Sequence, residues 1–108
     1  MVYVIQEMPG KNILPAAKFG QIVPLLPPSG QIAYSAGFAT NQLNAKLSNF
    51  NDSDYLLLIG DPVAIGISVA IACKWNKGKA KLLKWDKREM EYYAVEINIY
   101  HKNDSLEQ

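Results

Sequence analysis

The feature that most restricts the fold is an apolar window that a short polar turn divides in two. The window runs from Tyr55 to Cys73, and its only charged residue, Asp61, stands between Gly60 and Pro62. An Asp near the middle of a bilayer costs roughly 2.5–3.5 kcal/mol on insertion scales, which disfavours a membrane span. The window is therefore interpreted as two elements of a globular domain, and no membrane partner is expected.

The two halves of the window have the patterns of a strand and a helix. Tyr55–Ile59 is apolar without alternation, which is typical of a parallel strand covered on both faces. Asp61 then occupies an N-cap position and Pro62 the first helical position, while the run from residue 76 to Gly78 provides a helix end. The sequence thus predicts a central parallel strand, a tight turn and a helix whose two ends are chemically defined.

The helix itself, Val63–Cys73, lacks a polar face because small residues alternate with β-branched ones. A helix that is apolar all round is enclosed between layers or packed against another subunit. A domain of 108 residues rarely has a layer to spare. The sequence therefore predicts a homodimer through Val63–Cys73.

Two strands and a short helical turn are predicted before this unit. Val2–Gln6 is β-branched and aromatic, and it predicts the first strand. Pro15–Gly20 has Pro at a helix start and Gly at a helix end, which indicates one short helical turn. Gln21–Leu26 predicts a second strand, and Pro24 favours the edge of the sheet because it has no amide to donate.

An irregular loop and a helix are predicted between the second strand and the apolar window. Pro27–Ala39 is rich in small and turn-forming residues, which indicates an irregular loop. Thr40 is then a candidate N-cap. The apolar positions that follow at helical spacing predict one buried stripe, and they are Leu43, Leu47 and Phe50.

The last third of the chain predicts an antiparallel hairpin of Lys79–Trp85 and Glu91–Tyr100. Alternation in its second strand predicts a core face of Tyr93, Val95, Ile97 and Ile99 and a solvated face of Tyr92, Ala94, Glu96 and Asn98. The predicted fold is α/β: one small three-layer-like domain over residues 1–100, with a mostly parallel sheet of about five strands and an antiparallel C-terminal hairpin. Residues 101–108 are expected to form a flexible polar tail.

Composition excludes several classes of function. A formal net charge of +1 gives no global attraction to nucleic acid or to an anionic membrane. The single Cys73 and the single His101 allow neither an internal disulfide nor a structural zinc site. The sequence has no cofactor-binding motif, and no nucleophilic side chain can be paired with a general base. Neither a cofactor nor a catalytic residue is therefore expected. The start of the chain lacks a signal-peptide pattern, which favours an intracellular setting.

The first candidate site is the turn after the central strand, with Gly60 and Asp61 as ligand-binding residues. The carboxyl end of a parallel strand meets a helix N-terminus there, and ligands often bind at such a place. Pro62 removes one amide and Asp61 adds a negative charge, so a hydroxyl or an amine suits the turn better than a phosphate does. The alternative is that Asp61 only caps the helix.

The second candidate site is a basic and aromatic segment, residues 74–93. Seven of the eleven basic residues lie between Lys74 and Arg88, where Asp86 is the only acid. Lysines that neutralise phosphates and aromatic rings that stack on bases are what single-stranded nucleic acid requires. The alternative is a solvated hairpin whose lysines prevent edge aggregation. The candidate nucleic-acid-binding residues are Lys77, Lys79, Lys81, Lys84, Trp85, Lys87 and Arg88.

A family resemblance rests on Lys18-Phe19-Gly20, Ile22-Val23-Pro24-Leu25-Leu26-Pro27, Asp54-Tyr55-Leu56-Leu57, Gly60-Asp61-Pro62, Ile65-Gly66 and Leu83-Lys84-Trp85-Asp86. Together these segments resemble a group of short uncharacterised proteins of tailed bacteriophages and environmental viral sequences. The resemblance implies a viral accessory protein in the cytoplasm of an infected bacterial host, and it transfers no site residue because the group has no assigned activity. Three binding functions remain open: nucleic acid, a small molecule or nucleotide at the Gly60-Asp61-Pro62 turn, and a host or viral protein.

Overall fold

The computed structural model describes residues 1–28 and 36–100, and within these residues the chain forms one five-stranded sheet. The strands are β1 (Val2–Gln6), β2 (Ile22–Leu26), β3 (Tyr55–Leu57), β4 (Lys79–Asp86) and β5 (Glu91–Asn98). Their order across the sheet is β2-β1-β3-β4-β5. The first four pair in parallel, and β5 pairs antiparallel with β4. The predicted α/β fold with a C-terminal hairpin is confirmed.

Helices cover both faces of the sheet. The helices α1 (Ala36–Lys46) and α2 (Pro62–Trp75) pack on one face, here called the helical face. A short 3-10 helix, Leu14–Phe19, packs on the opposite face and confirms the predicted helical turn. Alternation along β3 sends Leu56 to the helical face and Leu57 to the opposite face, and both side chains are fully buried. The central strand is therefore covered on both sides, as its apolar sequence predicted.

The region before β3 agrees with the sequence except at the start of α1. β2 lies at the edge of the sheet with Pro24 exposed, as predicted, and the stripe of Leu43, Leu47 and Phe50 is buried. The helix begins at Ala36, so the predictions of a cap at Thr40 and of irregular chain up to Ala39 are wrong. Ala39 is buried four residues before Leu43, and this contact extends the stripe by one turn. Residues 29–35 of the predicted loop, and the predicted tail 101–108, lie outside the described residues.

Both ends of α2 have the chemistry that the sequence predicted. Asp61 Oδ1 accepts hydrogen bonds from the amides of Val63, at 2.8 Å, and Ala64, at 3.3 Å. At the other end Lys77 has φ 58° and Gly78 has φ 84°, and the Gly78 amide donates to the carbonyl of Cys73. These bonds pair backbone groups that a helix leaves unsatisfied at its ends.

Most of the apolar surface of α2 packs against other residues of the same chain. Ala64, Ser68, Ile71 and Ala72 are buried, and Ile65, Ile67 and Val69 pack half-buried against the same core. The exposed strip of the helix has Val63, Gly66 and Ala70. The homodimer through Val63–Cys73 remains a prediction, and only this narrow strip is available for it. Within residues 1–28 and 36–100, no helix has the length and apolar character needed to cross a membrane.

Ser68 is a polar side chain inside the core beneath α2. It is completely buried, and its Oγ has no hydrogen-bond partner within the described residues. Burying an unpaired hydroxyl costs about 1–3 kcal/mol, and Ala removes this cost while keeping nearly the same shape. We expect Ser68→Ala to raise the free energy of unfolding by about 1 kcal/mol in urea denaturation. A lower free energy of unfolding would contradict this and would indicate that the hydroxyl is bonded in solution.

The predicted faces of β5 are confirmed in part: Ile97 packs half-buried against the core, and the predicted solvated residues are exposed except for Tyr92. Tyr92 is only 5% exposed, whereas Tyr93 is 41% and Val95 39% exposed. The helices explain the difference, because α2 packs on β1 and β4 and α1 on β2, which leaves the helical face of β5 largely uncovered. On the opposite face the 3-10 helix contacts β5, and the Tyr92 hydroxyl donates to the carbonyl of Asn12 at 2.9 Å.

Candidate functional site

The turn between β3 and α2 is held by a buried glutamine from β1. The Asp61 amide donates to Gln6 Oε1 at 3.0 Å, and Gln6 Nε2 donates to the carbonyl of Pro27 at 2.9 Å. Gly60 has φ 135°, and a Cβ there would lie 2.7 Å from Gln6 Cβ. Because Gln6 is 2% exposed, this linkage is internal to the fold. The turn therefore has a clear structural role, and the ligand role of Gly60 and Asp61 remains a prediction.

A cleft of about 640 Å³ opens beside this turn. It is lined by residues 8–12, 57–60 and 83–85 together with Lys87 and Tyr92. These segments follow or end β1, β3 and β4, so the cleft lies at the carboxyl ends of the parallel strands. β2 lies on one side of β1 and β3 lies on the other, so the connections after β1 and after β2 lead in opposite directions across the sheet. Ligands of α/β sheets bind at the carboxyl ends of the strands where the strand order reverses in this way. We call this cavity the switch-point cleft.

An aromatic pair forms one wall of the switch-point cleft. The rings of Trp85 and Tyr92 meet edge to face with centroids 4.8 Å apart. The hydrogen bond from the Tyr92 hydroxyl to Asn12 ties this wall to the loop after β1. Desolvation raises the pKa of Tyr92, which keeps the hydroxyl protonated and donating at neutral pH. Leu57 and Leu83, both buried, supply apolar surface next to the rings.

The charge of the switch-point cleft is positive. Its lining contains Lys11, Lys84 and Lys87 and, within the described residues, no Asp or Glu. Lys84 pairs with Tyr93 across the hairpin, which directs its side chain toward the helical face, whereas Lys11 and Lys87 stand on loops. The nearby Asp86 is occupied in the hairpin turn, where its Oδ1 accepts from the amides of Arg88, at 2.9 Å, and Glu89, at 3.3 Å. An anion is the ligand that this charge favours.

The structure divides the predicted basic segment into two groups. Trp85 and Lys87 line the cleft with Gly60, and Arg88 follows in the same hairpin turn. The other group lies toward the amino-terminal end of β4, and its nearest member, Lys81, is four residues, or about 13 Å, before Trp85. It comprises Lys77, Lys79 and Lys81. Alternation also places Lys79 and Lys81 on the face opposite Lys84, as the sequence indicated.

Lysines of the second group already have partners within the chain. Lys79 Nζ forms an ion pair with Asp52 at 3.1 Å, and Lys81 Nζ lies 4.7 Å from the centre of the Tyr55 ring. Hydrogen bonds from the Asn76 amide and from Lys79 lower the pKa of Asp52. A groove of about 620 Å³ lies near the amino-terminal end of β4. Both acidic and basic side chains line it, including Asp52, Glu96 and Lys81. Its lining has three carboxylates and two lysines, so the switch-point cleft is the stronger candidate for an anionic ligand.

Sequence reasoning missed the loop after β1, which supplies residues 8–12 to the cleft. The position of this loop in the sequence could have identified it, because loops that follow neighbouring parallel strands lie at the same end of the sheet. Cys73 does not contribute chemistry here. It is buried in α2, and desolvation raises the pKa of its thiol, which keeps it in the unreactive protonated form.

Comparison with known proteins identifies a phage family. The family model described as phage Pam3 gp32-like protein matches residues 1–99, which is nearly the whole chain. No curated protein and no solved structure matches it. The family match confirms the resemblance to phage proteins that the sequence segments carried. The chain belongs to the family of phage Pam3 gp32-like proteins.

Proposed function

We propose that this phage protein binds single-stranded nucleic acid in the switch-point cleft. The observation that carries the proposal is a cleft in which Lys11 and Lys87 stand beside the Trp85–Tyr92 wall without a carboxylate in the described lining. Phosphates would lie near the two lysines, and one base would lie against Trp85. Phosphate neutralisation and base stacking are the two interactions on which single-strand binding rests.

The position of Trp85 supports a single strand over a duplex. Its side chain is half-buried at the end of β4, inside a cleft whose lysines stand on the flanking loops. A base in a duplex is stacked on its neighbours and does not enter such a cleft, whereas a base of a single strand is free to turn toward it. The net charge of +1 also favours a short local contact over a long electrostatic one.

The test is fluorescence anisotropy with a labelled single-stranded oligonucleotide. We expect binding at low salt, with a slope of log K against log salt of about −1.4 to −2, because two or three phosphates are neutralised at about −0.7 each. The double variant Lys11→Gln, Lys87→Gln should bind about fivefold to twentyfold more weakly. The control is Lys74→Gln, which removes an exposed charge outside the cleft and should leave affinity unchanged.

Two outcomes would contradict the proposal. One is the absence of binding by the unmodified protein at low salt. The other is an equal loss of affinity in the Lys74→Gln control, because that result would assign the binding to diffuse charge.

A free nucleotide is the second candidate ligand. A volume of about 640 Å³ lies within the range of pockets that hold small molecules. A sugar hydroxyl, the kind of group predicted for that turn, would then lie near Gly60, which lines the cleft, whereas Asp61 is not in the lining. Competition separates the two candidates: a mononucleotide that raises the melting temperature and displaces the oligonucleotide at similar concentration would favour the nucleotide.

A further inference from the structure

β5 has an outward edge of backbone groups that no described strand pairs. The Ile99 amide donates to the Gly78 carbonyl at 2.8 Å, which defines these two residues as a hydrogen-bonded pair of the β4–β5 hairpin. Hydrogen-bonded and non-hydrogen-bonded pairs alternate in an antiparallel ladder. The amides and carbonyls of the odd-numbered residues of β5 therefore point toward β4. Those of residues 92, 94, 96 and 98 point away from the sheet.

This edge lacks proline, lysine and a bulge, which are three of the features that keep a sheet edge from pairing. The other edge strand, β2, contains Pro24, whereas β5 contains neither Pro nor Lys. The register with β4 is continuous from Lys79↔Asn98 to Asp86↔Glu91, so no bulge interrupts it. Tyr93 and Val95 expose apolar surface along the same strand. Soluble proteins usually protect such an edge or cover it with another chain.

We propose that β5 pairs antiparallel with β5 of a second copy of this chain, around a two-fold axis at Val95. The strand is self-complementary in this register. Val95 would face Val95 of the second copy, and Tyr93 would face Ile97 of the second copy. These aromatic and β-branched pairs are among the favourable cross-strand pairs. The pairing joins two five-stranded sheets into one and is isologous, as a symmetric dimer requires.

The pairing of apolar side chains within the strand favours this register over its neighbour. With the axis at Val95, Glu96 faces Ala94 of the second copy, so no two like charges oppose each other. With the axis at Ala94, the same number of strand residues would overlap, but Ile97 of the strand would face the charged Glu91. The register centred on Val95 places the three apolar side chains that β5 has on the helical face, Tyr93, Val95 and Ile97, opposite one another, and it sets Glu91 opposite Ile99, which follows the strand.

This interface differs from the one that the sequence predicted through Val63–Cys73. The exposed strip of α2 offers only side-chain packing by Val63, Gly66 and Ala70. The β5 edge offers main-chain hydrogen bonds in addition to apolar pairs. The two interfaces lie on different elements, so single cysteine variants distinguish them.

Disulfide cross-linking tests the proposed register. In Val95→Cys, the two introduced thiols would occupy a non-hydrogen-bonded pair, whose Cα atoms lie about 4.5 Å apart, within the range that a disulfide bridges. Mild oxidation should therefore convert most of the protein to a covalent dimer. The controls are Ala94→Cys, which faces Glu96 of the second copy, and Ala70→Cys on α2. Both should remain largely monomeric on a non-reducing gel, and the native Cys73 is buried and should not react.

Sedimentation supplies an independent measurement. The unmodified protein should sediment as a dimer, and Tyr93→Lys with Val95→Lys should sediment as a monomer, because charges then oppose each other across the edge. Both positions are exposed, so the melting temperature of the monomeric variant should stay close to that of the unmodified chain at low concentration. A monomeric unmodified protein, or cross-linking of Ala70→Cys in place of Val95→Cys, would overturn the proposal. Nucleic-acid affinity is not part of this readout, so the two proposals fail separately.

Discussion

Leu56→Ala should lower the free energy of unfolding by about 3–5 kcal/mol. Leu56 is fully buried on β3, in the middle of the sheet, and its side chain packs into the cluster beneath α1 and α2. The loss combines the transfer of the side chain with the cavity that remains, and β1 and β4 on either side prevent the site from collapsing. Since small domains are stable by only about 5–15 kcal/mol, a loss of this size is a large fraction of the total stability.

Urea denaturation followed by circular dichroism measures the loss in Leu56→Ala. The matched control is Leu14→Ala, because Leu14 is 72% exposed at the start of the 3-10 helix and should change stability by no more than about 0.5 kcal/mol. A loss below about 1.5 kcal/mol for Leu56→Ala would show that β3 is not enclosed on its helical face.

Gly60→Ala should cost about 2–4 kcal/mol of stability. Two effects combine at this position. Its φ of 135° is one that residues with a side chain rarely adopt, and the added Cβ would lie 2.7 Å from Gln6 Cβ and 3.2 Å from the Gln6 nitrogen. Gln6 cannot move away without loosening its hydrogen bonds to Asp61 and Pro27.

Gly10→Ala separates the two effects that combine at Gly60. Gly10 also has a positive φ, 81°, but a Cβ there would meet no atom within 4 Å. Its replacement should therefore cost only the conformational penalty, about 1–2 kcal/mol. Thermal unfolding of both variants gives the comparison. Equal losses would mean that Gln6 yields to the new methyl group, and that the turn is less tightly held than its geometry indicates.

The two proposals would reinforce each other in an assembled dimer. When two sheets pair edge to edge around a two-fold axis at Val95, the axis is perpendicular to the joined sheet. The helical faces of both copies therefore lie on the same side of the joined sheet. The two switch-point clefts would then open on one surface, and a single strand that reaches both would bind more tightly than one that reaches a single cleft. The affinities of a short and a longer oligonucleotide, measured for the unmodified protein and for the Tyr93→Lys, Val95→Lys variant, would give the size of this gain.

Local chemistry was enough to predict the central unit of the fold. The cap at Asp61, the Pro at the first helical position and the helix end at Gly78 depend on neighbouring residues, and the structure confirms all three. The same is true of β3, whose uninterrupted apolar run indicated burial on both faces. Pro24 identified an edge strand for a similar reason, because the missing amide is a property of that residue alone.

Features that depend on what covers a surface were not predictable in this way. Alternation correctly separated the two faces of β5, but it assigned Tyr93 and Val95 to the core because it carries no information on how far the helices extend. The start of α1 at Ala36 was missed because the buried contact of Ala39 outweighed the local preference for a cap at Thr40.

The candidate site shows the same division. The sequence by itself determined that Gly60 and Asp61 form a turn at the carboxyl end of a central strand, and that lysines and Trp85 lie near one another along the chain. Only the tertiary structure decided that Trp85 and Lys87 share a cleft with Gly60 and the loop of Lys11, while Lys79 and Lys81 lie outside that cleft, toward the amino-terminal end of β4. The physical reason is that a cap or a turn is formed by adjacent residues, whereas a cleft is formed by strands that are distant in sequence and paired side by side.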